Sequence, residues 1–188
     1  MIDNYYLENL EIIKKSFHEK KDFPHVLLFD FFDNQDYLRV KKQVGKISLK
    51  REKKPLFHSY ASASLSLELG NLFSSQEFTD FVLAVIGKKL NSSTARIYSF
   101  SARDYTLLND TYNEKAGVDI LFDFTEEWDA SAGGQITYVD GTGDALKLPI
   151  RRNSLMIVRR QKNVQRFVKY VNHIAGKKRR LFVLVSIQ

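Results

Sequence analysis

Protein chemistry needs donors, acceptors and nucleophiles at fixed spacings, and this sequence offers few of the usual sets. Cysteine is absent, so disulfides and thiolate metal sites are excluded. The histidines stand at positions 18, 25, 58 and 173, too scattered for a His-Glu-x-x-His zinc motif, and no phosphate loop or dinucleotide fingerprint occurs. Ser62, Ser64 and Ser66 alternate with Ala63 and Leu65, but no histidine stands at a spacing that would activate one of them. Glu126 and Glu127 flank Trp128 and Asp129 as paired carboxylates, for which a solvated loop is the better account. Gly141-Thr142-Gly143 reads as a hairpin turn and is weak as a phosphate cradle.

Charge is the next source of chemistry. The chain of 188 residues carries a net charge of +7, distributed unevenly. From Arg151 to Gln188 there is no acidic residue, whereas the stretch before it holds Asp104, Asp110, Asp119, Asp123, Glu126, Glu127 and Asp129. Two readings stand: the two segments pair within one fold, or the basic one offers a face to a polyanion through residues 151–180. No stretch approaches the roughly 18 unbroken apolar residues of a membrane span. Acidic Asp3 sits where a secretory signal would need a basic and then an apolar run, so a cytoplasmic location is expected.

The elements that must position these residues fall into two halves of one expected domain, 1–188. Tyr6, Leu10, Ile13 and Phe17 recur at helical spacing. Pro24 opens an apolar run to Phe32 that reads as a buried strand, Asp33 caps a helix through Val44, and Lys46–Pro55 reads as a basic, solvated connection. Ser74-Ser75-Gln76-Glu77 reads as a capping box ahead of the stripe Phe78, Phe81, Val82, Val85 and Ile86, closed by Gly87. Residues 1–92 are therefore expected to be helical support with one early strand.

After Ser92 the period changes to two. Strands are expected over 95–100, 105–108, 118–125, 135–139, 145–150, 154–160, 166–171 and 181–187. In 118–124 one face is wholly apolar and the other carries Asp119 and Asp123. About eight short strands after a run of helices predict an α+β, mainly β fold, a jelly-roll barrel over 93–188 with helices on one outer face.

Several strings, in order, resemble the prolyl-hydroxylase-like branch of the iron- and 2-oxoglutarate-dependent oxygenases. They are Phe23-Pro24-His25 with Phe31-Phe32-Asp33, then Tyr98 to Leu108, then Trp128 with Gly133-Gly134-Gln135-Ile136, and Pro149, Asn153 and Leu155. The resemblance implies a double-stranded β-helix. It also implies an iron site built from a His-x-Asp pair and a distant histidine, whose positions here fall on Asn109, Thr111 and Arg166. Arginine stays protonated and has no lone pair to give, so the ordinary iron site is expected to be lost. A shift of register would bring Asp110 and His173 forward as replacement ligands, although a one-residue slip turns a strand side chain to the opposite face.

The family anchors the far carboxylate of 2-oxoglutarate with a basic residue on its last strand. Arg180 matches, with Arg179 beside it, Tyr98 as a hydroxyl donor and Leu107 in the same pocket. The other reading puts Arg179 and Arg180 in a solvated turn with Lys177 and Lys178. The expected function is that of an oxygenase-like domain without normal iron chemistry, binding a protein or another polymer. The alternative is an active protein hydroxylase with an atypical site, using Fe(II) and 2-oxoglutarate.

Overall fold

A computed structural model of the chain describes residues 2–87, 93–108 and 115–187. Five helices and early strands come first: α1 (Asn4–Glu8), α2 (Leu10–Glu19), β1 (His25–Phe29), α3 (Asn34–Val44), β2 (Lys50–Lys54), β3 (His58–Ser64), α4 (Leu67–Phe73) and α5 (Gln76–Ile86). The remainder is β4 (Ser93–Phe100), β5 (Tyr105–Thr106), β6 (Gly117–Asp123), β7 (Ile136–Val139), β8 (Ala145–Lys147), β9 (Ser154–Arg160), β10 (Gln165–Val168) and β11 (Arg180–Ile187).

The strands form two antiparallel sheets. The larger runs β1-β9-β6-β11-β4-β3-β2, with β5 also paired to β3, and the smaller runs β10-β7-β8. Two cores result. One lies between the larger sheet and the helices and holds Phe17, Phe31, Phe81, Val85, Ile120 and Phe122. The other lies between the two sheets and holds Phe100, Leu121, Tyr138, Met156, Val168 and Phe182. The period-two pattern of β6 sorts its side chains: Val118, Ile120 and Phe122 join the helix-side core, while Leu121 joins the inter-sheet core.

Local signals explain most element ends. The stripe Tyr6, Leu10, Ile13, Phe17 is shared by two helices, because Asn9 leaves the helical region at ψ 20° and separates α1 from α2. Asp33 caps α3 by accepting from the Asp36 amide. The cap of α5 is Ser75, which accepts from the Phe78 amide, whereas Ser74 donates to the Gly70 carbonyl at the end of α4. With the cap one residue later, Glu77 leaves the reciprocal position of a box and accepts instead from the Ile2 amide at 3.3 Å, tying α5 to the N-terminus. β1 stops at Phe29 because Asp30 takes a positive φ of 54°. Phe31 and Phe32 then enter the core, clipped by Asn153, which gives its side-chain amide to the Phe32 carbonyl (2.8 Å) and accepts from the Phe32 amide (3.1 Å).

One expectation fails in the first half. Lys46–Pro55 is not a solvated connection over its whole length: Lys50–Lys54 is β2, paired in register with β3, and β3 pairs with β4. Its run of charged side chains carries no apolar face, so hydrophobic periodicity gives no sign of the strand. The N-terminal half therefore supplies three strands to the larger sheet.

Candidate functional site

The inward face of β6 buries Asp119 and Asp123, and each meets arginine. Asp119 Oδ2 accepts from Arg166 Nη1 (2.6 Å) and the Tyr138 hydroxyl (3.0 Å), and lies 3.0 Å from Arg160 Nε. Its Oδ1 accepts from the Ser186 hydroxyl at 2.8 Å. Burial and the neighbouring Asp119 charge push the Tyr138 hydroxyl far above its usual range, so it is a fixed donor. Asp123 accepts from Arg180 Nη1 (2.6 Å) and the Thr125 amide (2.8 Å), and Arg180 Nη1 also donates to the Thr125 hydroxyl. Burial pushes the Asp123 carboxyl upward against the pull of Arg180. A buried carboxylate facing a guanidinium at this distance is the arrangement that offsets desolvation of both.

A cavity of about 260 Å³ opens between the sheets. Alternate residues of three neighbouring strands make one wall: His58 and Tyr60 from β3, Tyr98 and Phe100 from β4, Phe182 and Leu184 from β11. The rings contact one another, Tyr60 to Tyr98 at 5.4 Å and Tyr98 stacked on Phe182 at 5.5 Å. The opposite side is Ile136 of β7 and Arg166 to Val168 of β10, with Phe57, Thr106 and Leu107 also at the lining. Burial and the nearby Glu52 push the Tyr60 hydroxyl up to about 12, so it too stays protonated.

Of the residues singled out in the sequence, Tyr98, Leu107 and Arg166 line this cavity together. Arg180 is not among its lining residues. It is fully buried, packs over the Phe182 ring at 4.8 Å and gives Nη1 to Asp123 and Thr125, while its Nη2 has no hydrogen-bond partner among the described residues. Arg179, Lys177 and Lys178 are exposed, so the basic run divides at Arg180. Asn109, Asp110 and Thr111 lie outside the described residues. His173 is exposed in a short 3-10 turn, His173–Ala175. Sequence reasoning missed Asp119 as the partner of Arg166, and missed the wall supplied by β3. The alternation of two aspartates with apolar residues in 118–124 was the available signal for the first.

The charged segments pair extensively. Arg152 reaches Glu126, Lys178 reaches Glu127, and Arg160, Arg166 and Arg180 are held by Asp119 and Asp123. Arg160 is only 3% exposed. A basic face within residues 151–180 therefore loses Arg160 to the interior, and Arg159 donates to the Ile86 carbonyl.

Two antiparallel sheets curled around such a cavity are the double-stranded β-helix of the 2-oxoglutarate oxygenases. Solved structures with this architecture include a prolyl-4-hydroxylase from Pseudomonas putida (TM-score 0.67, 10% identity, covering 94% of this chain and 98% of that one). A 2OG-Fe(II) oxygenase-family oxidoreductase from Burkholderia pseudomallei is similar at TM-score 0.73 and 11% identity, over 95% and 90% of the two chains. A prolyl hydroxylase from Trichoplax adhaerens, in complex with a peptide fragment of the hypoxia-inducible factor oxygen degradation domain, gives TM-score 0.70 and 10% identity over 98% and 93%. No curated protein matches. The chain belongs to the family described as oxoglutarate and iron-dependent oxygenase degradation C-term, whose model matches residues 8–187.

The family implies iron and 2-oxoglutarate; of the residues that the resemblance matches to the iron ligands, Arg166 alone is among the described residues. Arg166, which the resemblance sets against the distal histidine, is a permanent cation with no lone pair, held by Asp119 at the cavity wall. Among the described residues no three His, Cys, Asp or Glu side chains gather as a metal-holding set. Arg180, which the resemblance reads as the cosubstrate anchor, faces an internal carboxylate, Asp123. Arg166 and the Asp123-bound Arg180 do not fit the roles of metal ligand and free carboxylate anchor.

Proposed function

We propose that this chain is an oxygenase-like domain that works by binding a protein or another polymer, without the iron-dependent oxidation of its relatives. The observation that carries this reading is Arg166. The resemblance matches it to a metal ligand, Asp119 holds its guanidinium, and it lines the cavity between the sheets. A divalent cation beside a guanidinium is opposed by like charge and gains no ligand in return. The remaining cavity is walled by aromatic and aliphatic side chains, which suits a binding surface more than a hydrolytic or redox centre. Binding of a polypeptide agrees with the Trichoplax adhaerens neighbour, whose structure includes a bound peptide fragment.

The test is turnover. Purified protein supplied with iron(II), ascorbate and 2-oxoglutarate is expected to release no succinate above a protein-free control. Succinate formation that scales with protein and disappears with chelator would replace this reading with that of an active hydroxylase with an atypical site.

A further inference from the structure

The mouth of the cavity carries surface that neither the buried ion clusters nor the sheet accounts for. Leu56, Phe57, Leu107 and Leu108 are 81%, 38%, 50% and 45% exposed. The Leu107 amide donates to the Phe57 carbonyl at 2.9 Å, so the tip of the β2–β3 hairpin and the segment after β5 lie side by side. Phe57 and Leu107 also line the cavity, which makes the exposed apolar surface continuous with its interior.

Beside this lip runs β2, an edge of the larger sheet. It carries Lys50, Arg51, Lys53 and Lys54, all exposed, against one acid, Glu52. Glu52 is held by Arg96 at 2.7 Å, and Arg51 is paired with the buried Asp104. Register places Lys50 opposite Ser62 and Lys54 opposite His58, so these two lysines share the concave face with the cavity wall. Lys54 Nζ lies 4.4 Å from the Phe57 ring centroid. Lysines on an edge strand guard against sheet-to-sheet pairing, and that role alone explains charge there. It does not explain four large apolar side chains exposed next to them at the mouth of an aromatic cavity, a combination that marks interaction surfaces.

We infer that this mouth is a docking site for an acidic polypeptide segment bearing one large apolar side chain. Its carboxylates lie against Lys50 and Lys54, and its apolar side chain passes Phe57 and Leu107 into the cavity. The inference rests on the binding role proposed above and names the chemistry of the partner. At about 260 Å³ the cavity falls just below the roughly 300–1,000 Å³ of small-molecule pockets, which suits one inserted side chain. A nucleic acid is the poorer match. Its backbone wants cations along a track, yet two lysines sit on one side of an aliphatic lip, and much of the C-terminal basic stretch is tied to Asp119, Asp123, Glu126 and Glu127.

The experiment is an array of short synthetic peptides varying in acidic content and in a central Phe, Leu or Ala, probed with the purified chain. Retained peptides are expected to be acidic with Phe or Leu at the centre, and retention to weaken as salt rises. The double variant Lys50→Glu, Lys54→Glu should weaken binding about tenfold or more. The pair Phe57→Ser, Leu107→Ser should remove the preference for Phe and Leu over Ala. A control reversal of two exposed lysines elsewhere, Lys15→Glu and Lys21→Glu, should leave binding nearly unchanged, and melting curves report whether each variant folds. Absence of retention, retention of neutral or basic peptides, or equal effects of the two lysine variants would overturn the inference. So would tighter binding of a single-stranded oligonucleotide abolished by the β2 double variant. Succinate release would sink the binding-only reading while leaving this surface standing, so the two failures are distinguishable.

Discussion

Removing the Asp119 carboxylate should cost more stability than removing any one group that it holds. Asp119 is fully buried and receives Arg166, Tyr138 and Ser186, with Arg160 at 3.0 Å. Asp119→Ala leaves two cations without their shared partner beneath the cavity. Breaking a buried pair by removing one member costs about 3–5 kcal/mol. Arg166→Ala is milder, because Asp119 keeps its other partners and Arg166 is already 16% exposed; the loss of a charge-assisted hydrogen bond is about 1.5–3 kcal/mol. For a domain of this size each kcal/mol moves the melting temperature by roughly 2–4 °C. Asp119→Ala is therefore expected to melt about 6–20 °C below the native protein, and Arg166→Ala about 3–12 °C below it. Thermal melting followed by near-ultraviolet circular dichroism measures both, and the double variant gives their coupling. An Arg166→Ala loss larger than that of Asp119→Ala would refute the view that the carboxylate organises the cluster.

The other predictions concern separate parts of the fold. Asn153→Ala removes two buried hydrogen bonds to Phe32 at a residue with φ 52°, and should cost about 2–4 kcal/mol in urea unfolding. Gly133→Ala would place a Cβ 2.0 Å from the Tyr170 carbonyl oxygen at φ 82°, so soluble expression should fall sharply unless that segment moves. The Lys41 ammonium beside Glu126 holds its carboxyl below the usual range. Its folded-state value is thus below its unfolded one, so its contribution is present above the unfolded value and is lost as the pH falls through the folded one. Glu126→Gln should flatten the acid limb of stability below about pH 4.5, by under about 1 kcal/mol because the group is partly exposed. Replacing Asn109 with His, Thr111 with Asp and Arg166 with His should raise affinity for Mn(II), read by calorimetry; no gain would place those positions apart.

Much of the barrel is legible in the sequence because its strands alternate cleanly between two cores. Residues 118–124 announce their faces, and the structure splits Val118, Ile120 and Phe122 from Leu121 as that alternation requires. Caps are legible to within a residue, Ser75 serving where Ser74 is equally plausible by type. What is not legible depends on contacts between distant segments. Nothing in Lys50–Lys54 signals a strand, since its pairing comes from β3 and its faces are both charged. Likewise, Arg180 matches a ligand anchor by position, but its partner Asp123 is contributed by a neighbouring strand through register. The pairing of Arg166 with Asp119 has the same origin: spacing places the guanidinium, and only the packing of one sheet on the other selects the carboxylate that meets it.

The most direct test of a domain without a working iron site is a calorimetric titration of the native protein with Mn(II), in the presence and absence of 2-oxoglutarate. With Arg166 fixed by Asp119 at the position proposed for the distal ligand and Arg180 facing Asp123, the expected result is no heat of specific binding up to millimolar metal, and none for 2-oxoglutarate. A stoichiometric Mn(II) site of micromolar affinity, strengthened by 2-oxoglutarate, would contradict the account.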